Sequence, residues 1–332
     1  MKNKFLVALA ATSCLASLHA NAAPSQQSLQ NKIDLLEERL EKIENKSSSK
    51  ISQTAREVYG NSFNPSIGIV LNGKYQAFSE SEAETISGFA FGEEGARGDE
   101  GIAIDESELN FSGNIDDKFF ASMTAAIVRE DGEDKIELEA AYVQTQPGLL
   151  ALDGLSLKFG RAFWKLGYLN EQHAHADDFA DRPLPYRVFL NKSYNDDGAE
   201  LSYVLPTNFY SEIGGGVFAG DDAPFGNANG DNISNWSAYA RIGSDIGSRQ
   251  NWRLGAYVLS GQTGDSGRVS NEDNITFIGE TKLYVADLRY IWAPTGNNRQ
   301  QEVLLQADYF HRDDDGTYAD AAASTCNVLF DE

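Results

Sequence analysis

Ile136-Glu-Leu-Glu-Ala-Ala-Tyr-Val-Gln-Thr145 decides the fold class. Ile136, Leu138, Ala140 and Tyr142 alternate with Glu137 and Glu139. A period of two puts the apolar side chains on one face of an extended strand and the carboxylates on the other. The same unit recurs on both sides of this stretch. Strands are expected over residues 66–78, 104–115, 119–129, 136–145, 155–163, 197–205, 209–219, 236–246, 251–260, 280–292 and 301–312, eleven in all. The tight turns 116–118, 206–208, 247–250 and 293–296 alternate with long polar connections.

That alternation of short turns and long loops is the layout of an antiparallel transmembrane β-barrel, with short periplasmic turns and long outer loops. Phe119, Phe120, Phe209, Tyr210, Trp236, Trp252 and Trp292 gather near strand ends, as residues of a lipid-interface girdle do. No apolar run of about 18 residues follows the N-terminus, so no helix is expected to cross a bilayer; a barrel needs none, because only alternate residues face lipid. A soluble β-sandwich or solenoid is the competing reading of the same alternation. The 332 residues carry 27 Lys and Arg against 50 Asp and Glu, a formal net charge of −23. Phosphate repels such a chain, so nucleic acid is excluded as a partner. The acidic excess reads either as a solvated surface or as a mouth that concentrates cations.

Residues 1–22 read as a secretory signal, with Lys2 and Lys4, an apolar stretch and small residues before a cleavage site after Ala22. Residues 23–52 read as an α-helical coiled coil, because Leu29, Ile33, Leu36, Leu40 and Ile43 recur at spacings of four and three. Residues 53–65 are a linker and 66–332 the barrel. Cys14 falls in the leader and Cys326 is then the single thiol, so neither a disulfide nor a cysteine zinc site is expected. Counting strands from the periplasmic side makes residues 163–191 the third outer loop.

The leader and coiled coil, followed by Asn64-Pro-Ser-Ile-Gly-Ile-Val-Leu-Asn-Gly-Lys-Tyr75 opening an alternating barrel, resemble the Gram-negative outer-membrane porins. The layout is most similar to the phosphate-selective type, whose members also carry an N-terminal helical segment. The resemblance implies a homotrimer of sixteen-stranded barrels in the cell outer membrane, in contact with lipid. It also implies passive diffusion of small hydrophilic solutes or ions past a third loop folded inward as a constriction. Phosphate-selective members line the pore with Arg and Lys. Here the inward positions read Glu106, Glu108, Glu137, Glu139, Asp287 and Asp308, with Lys74, Lys158, Arg253 and Arg289 among them, so anion selectivity does not carry over. Such porins end on a strand with a terminal aromatic residue, whereas this sequence stops at Asn327-Val-Leu-Phe-Asp-Glu332, so C-terminal truncation by roughly five strands is expected.

The candidate site lies in that third loop. Glu171, His173, His175 and Asp177 fall at every second position, which in an extended chain turns all four to one side. Imidazole nitrogen with carboxylate oxygen suits Zn, held transiently if the ion is to leave again. The bland reading is a polar loop whose histidines hydrogen-bond to carboxylates and hold it against the wall. Arg161, Lys165, Arg182 and Arg187 flank Glu171, Asp177 and Asp178, and opposed charges of that kind set up the transverse field of a pore constriction. Tyr168, Phe179, Tyr186 and Phe189 are expected to anchor the loop by packing, and Asp313-Asp-Asp315 to form a solvated loop beside His311. No Gly-x-Ser-x-Gly elbow, phosphate-binding glycine loop or His-Glu-x-x-His is present, so no enzyme is expected. The alternatives to a porin are a metal-ion uptake channel or receptor, a barrel enzyme using His173 with Asp177 or Asp178 and Ser193, and a non-conducting adhesive surface protein.

Overall fold

The computed structural model describes residues 65–79, 86, 89, 95, 100–130, 133–148, 152–221, 223–225, 233–264, 267–269 and 275–320. The expected signal and coiled coil, and all of the linker but Pro65, lie outside the described residues, as do Cys326 and the stretch from Asn327 onward.

The described chain is an antiparallel meander. Its strands are β1 (Ser66–Val70), β2 (Gly73–Gln76), β3 (Gly101–Ile104), β4 (Ser107–Asn114), β5 (Phe119–Glu130), β6 (Glu133–Thr145) and β7 (Leu155–Phe163). Then come α1 (Leu184–Leu190), β8 (Asn195–Val204), β9 (Tyr210–Phe218), β10 (Asn235–Ile246), β11 (Gln250–Gln262), β12 (Arg268–Val269), β13 (Ile275–Trp292) and β14 (Val303–Asp320). From β4 onward each strand pairs with the next pass of the chain, while β1 pairs with β4, β2 with β3, and β12 is a two-residue arm on β13. The expected strands over 66–78 and 104–115 are each broken once. The breaks lie opposite one another, where the Asp105 amide donates to the Asn72 carbonyl at 3.0 Å. With each broken strand counted once and the β12 arm left out, the described residues make eleven passes, as the period-two reading predicts. Among the described residues β1 and β14 are the edges of the sheet, and no pairing joins them.

The two faces carry the reverse of a soluble sheet's polarity. In β10 the buried positions are Asn235, Ser237, Tyr239, Arg241 and Gly243, and the exposed ones between them are Trp236, Ala238, Ala240 and Ile242. Elsewhere Glu108, Glu200 and Asp287 are 4%, 2% and 2% exposed, while Leu71, Ile102 and Ile136 are 86%, 90% and 77% exposed. The buried face is covered by the connection between β7 and β8, residues 164–194. That segment reaches Glu108 on β4 through His175 and Asp308 on β14 through Tyr186. One segment touching strands near both edges means that the sheet curls around it. The apolar core lies between them, where Trp164, Leu166, Tyr186, Leu190 and Tyr194 pack on Phe218, Tyr239, Tyr257, Leu259, Leu283 and Val285.

Three local expectations change. Ala140 and Tyr142 do not share a face with Ile136 and Leu138. Thr124 pairs with Ala140 and Ala125 with Leu138, so Glu139 is the extra residue of a β-bulge. One inserted residue reverses the facing of every later side chain. Tyr142 therefore packs against the inner core and Val143 turns outward. Asp313-Asp-Asp315 is not a solvated loop but part of the long β14. Asp314 is held there by Arg268 at 2.7 Å and Arg312 at 3.0 Å. The third loop is also not extended. It makes two 3-10 turns, Leu169–Glu171 and Ala174–Ala176, and then the short α1. α1 has Pro185 in its first turn, where a missing N–H costs nothing, and ends on Asn191 in the left-handed region at φ 50°.

Trp164 is the test of this core. It is 1% exposed, its indole N–H donates to the Asp196 carbonyl at 2.8 Å, and its ring lies 5.0 Å from Phe218. Trp164→Ala is expected to cost about 3–5 kcal/mol of unfolding free energy. Phe159→Ala, whose ring is 66% exposed on the outer face, removes no core packing and is expected to cost clearly less in detergent. Equal losses in denaturant unfolding would show that the apolar core is not where the structure puts it.

Candidate functional site

The third loop is closed at its neck by one buried amide. Asn170 is fully buried and its side-chain N–H groups donate to the carbonyls of Trp164 at 2.7 Å and Tyr194 at 3.0 Å, while its oxygen accepts from the Tyr194 amide at 2.6 Å. A side-chain amide offers both donors and an acceptor, so it reinforces the neck just past the last β7–β8 pair, Phe163 with Asn195, where the Trp164 amide also donates to the Tyr194 carbonyl at 3.4 Å. Its role left no mark in the sequence beyond a polar residue in an apolar surrounding.

From the neck the loop reaches two walls of opposite character. Towards β10–β13 it meets cations. Arg241 holds the Glu171 carboxylate with both terminal nitrogens, Nη1 lying 3.2 Å from Oε2, and its Nε donates to the Tyr257 hydroxyl at 3.0 Å. The guanidinium groups of Arg253 and Arg289 lie 4.8 Å and 3.8 Å from the ring centre of Tyr168. Lys165, just past β7, sits 2.7 Å from Glu212, 3.4 Å from Glu200 and 2.9 Å from the Tyr239 hydroxyl. Burial works to discharge its ammonium, but Glu200 and Glu212 more than offset that and hold its pKa above the ordinary lysine value.

Towards β3–β6 the loop meets carboxylates. His175 Nδ1 is 2.6 Å from Glu108 Oε1, and His173 Nδ1 is 3.3 Å from Glu108 Oε2 and 3.0 Å from Glu139 Oε2. The two imidazole rings stack at 5.7 Å, and Phe163 meets His173 edge-on at 5.0 Å. Lys192 pairs with Glu106 at 2.8 Å. Burial alone would lower the His173 pKa, but its hydrogen bonds to Glu108 and Glu139 outweigh that and push it up to about 9. Lys192 and Ala174 line two polar cavities that flank this contact. One, of about 510 Å³, also takes in Glu106, Glu139 and Arg161; the other, of about 270 Å³, takes in His175, Asp178 and Arg187.

The four residues expected on one side of an extended segment do not converge. The 3-10 turns send Glu171 to Arg241, the histidines to Glu108 and Glu139, and Asp177 to Arg182 at 2.8 Å. Arg182 is buried, its side chain 1% exposed, and it also donates to Ser193 and to the Lys192 carbonyl at the edge of the smaller cavity. Arg187 donates to the Gly95 carbonyl at 2.8 Å, Arg161 pairs across strands with Asp197 at 3.0 Å, and Asp178 is exposed. Phe179 is 78% exposed and anchors nothing, whereas Tyr168, Tyr186 and Phe189 do pack. Glu108 and Glu139 were legible as inward carboxylates. Their meeting with the histidines was not, because it depends on the bulge and on the path of the loop.

No family model matches the chain, and no solved structure matches it. An uncharacterized protein of Aquifex aeolicus (strain VF5) is 27% identical over 198 residues, which are 56% of this chain and 40% of that protein. The chain therefore spans about two-fifths of the length of the relative it matches.

A raised histidine pKa adds stability that is complete below the unfolded value near 6.5 and is lost as pH rises through the folded value of about 9. In chelator, the melting temperature of the wild-type chain is expected to fall between pH 6.5 and 9.5, with a smaller fall in His173→Ala. Parallel profiles for the two proteins would remove His173 from the attachment of the loop.

Proposed function

We propose that this chain forms the wall and inner loop of an outer-membrane β-barrel porin, through which small hydrophilic solutes or ions diffuse passively. The observation that carries the reading is the inverted sheet: isoleucine, leucine, tryptophan and phenylalanine on the open face, and glutamate, aspartate, arginine, serine and asparagine on the enclosed one. In water that arrangement exposes the apolar area and buries the charge. Against hydrocarbon the same arrangement is the favourable one, and it is how transmembrane barrels alternate. An open sheet edge in lipid would leave a row of N–H and C=O groups unpaired, so this reading requires partners for β1 and β14.

Residues 163–191 act in this reading as the constriction. The segment spans the curl of the sheet, with the acids Glu106, Glu108 and Glu139 on one side and Arg241, Arg253 and Arg289 on the other. Opposed rows of fixed charge across a narrow passage orient polar solutes and sort ions. The partners on this reading are outer-membrane lipid, the permeating solutes or ions, and further copies of the chain in a homotrimer.

The test is conductance in planar bilayers. Purified protein should insert from detergent and give unitary steps. Arg241→Ala, which frees Glu171 and with it one attachment of the loop, should widen the passage and raise the unitary conductance. A protein that stays monodisperse without detergent and gives no steps would defeat the proposal. Steps of unchanged size in Arg241→Ala would place the loop outside the conducting path.

A further inference from the structure

We infer that His173 and His175, with Glu108 of β4 and Glu139 of β6, form a binding site for a divalent transition-metal ion of the zinc class. The inference stands on where four side chains from three separate elements meet. Glu108 presents Oε1 to His175 at 2.6 Å and Oε2 to His173 at 3.3 Å, and Glu139 presents Oε2 to His173 at 3.0 Å. One ligand atom each from Glu108, Glu139 and His173 lie within 4.8 Å of one another.

Those separations fit coordination. A tetrahedral zinc ion with bonds of about 2.0–2.1 Å sets its ligand atoms roughly 3.3 Å apart, close to the 3.3 and 3.0 Å that separate His173 Nδ1 from Glu108 and Glu139, while His175, on the other oxygen of Glu108, lies outside that trio and has to turn towards the ion. The donor set is chemically apt as well. Two imidazoles and two carboxylates, with no sulfur, suit zinc and also nickel or copper. Two carboxylates balance a divalent charge once each imidazole has given up any proton it carries, which the incoming ion displaces. The nearby Glu106 is already matched by Lys192 at 2.8 Å.

The surroundings hold the donors in place. Glu139 is the extra residue of the bulge in β6, a feature that re-aims one side chain at the expense of regular pairing. Phe163 fixes the His173 ring edge-on, and the His175 ring stacks on that of His173. Glu108 and Glu139 are 4% and 9% exposed, while the histidine side chains keep 27% and 26% exposure, and the flanking cavities give an ion a way in. A bound ion would rivet the loop tip to the β4–β6 wall by bonds stronger than the hydrogen bonds they replace.

The experiment is zinc binding by the purified full chain in detergent, measured by competition with a chromophoric chelator. One Zn²⁺ per chain is expected for the wild type. Affinity should fall more than a hundredfold in His173→Ala combined with His175→Ala, because removing two ligands costs more than the roughly 10–100-fold that losing a ligand's outer-shell partner does. His311→Ala, on β14 and stacked on Tyr284, should leave binding unchanged. Because the double variant could lose its loop structure, Co²⁺ is added to the wild type as a second readout. Intense visible bands of a low-coordinate cobalt site are expected, and the weak spectrum of hydrated Co²⁺ would overturn the inference. So would absence of stoichiometric Zn²⁺, or equal affinity in the folded double variant. None of these readouts involves a membrane, so they fail or succeed independently of the porin reading.

Discussion

Charge buried inside the curl of this sheet has to be answered there, and the connection between β7 and β8 answers it. Glu171 meets Arg241, Lys165 sits between Glu200 and Glu212, Lys192 meets Glu106, and two histidines meet Glu108 and Glu139. Removing one member of such a buried pair strands the other in a poorly solvated place, which costs more than the pair itself contributes. The loop's position is thus over-determined. Glu171 goes to the basic wall and the histidines to the acidic wall, so a reversed seating would bring like charges together.

The apolar residues of the same loop do different work. Trp164, Leu166, Tyr186 and Leu190 give the inner face the only extended oily contact described for it, and Asn170 ties the two ends of the loop across its neck. Packing sets how firmly the loop is held, and the ion pairs set where. A backbone cost comes with that seating: Asn191 and Lys192 both adopt positive φ, 50° and 83°, directly before the chain re-enters the sheet. Such strain persists where surrounding contacts demand it, here the Arg182 bond to the Lys192 carbonyl and the Lys192 pair with Glu106.

Much of the sheet was legible because alternation is a redundant signal. Strands such as β10 repeat it over a dozen residues, and the alternation of turn lengths locates the joins. The misread features each depend on a single residue or a distant contact. The bulge at Glu139 is one residue long and lies inside an otherwise regular run, so strict alternation puts Tyr142 on the wrong face. The Asp triplet looks like a loop by composition and becomes strand because Arg268 and Arg312 neutralise Asp314. His173 and His175 stood out as residue types, but two 3-10 turns, not the spacing, choose their partners. Glu108 lies 67 residues from His175 in sequence, beyond the reach of any local pattern.

The same distances favour an order in time. The neck of the loop joins residues 24 apart, and Tyr186 finds Asp308 across 122. Closing a short chain segment loses less entropy than closing a long one, and contacts far apart in sequence are made late. The loop can be knotted to itself and laid on β8 to β10 while β13 and β14 are still free. The last strands then wrap around an object already in place, much as a cask is coopered around its contents. A sheet that curled first would have to admit Trp164 and Tyr186 through its own wall, so the filling acts as the template on which the final curvature is formed.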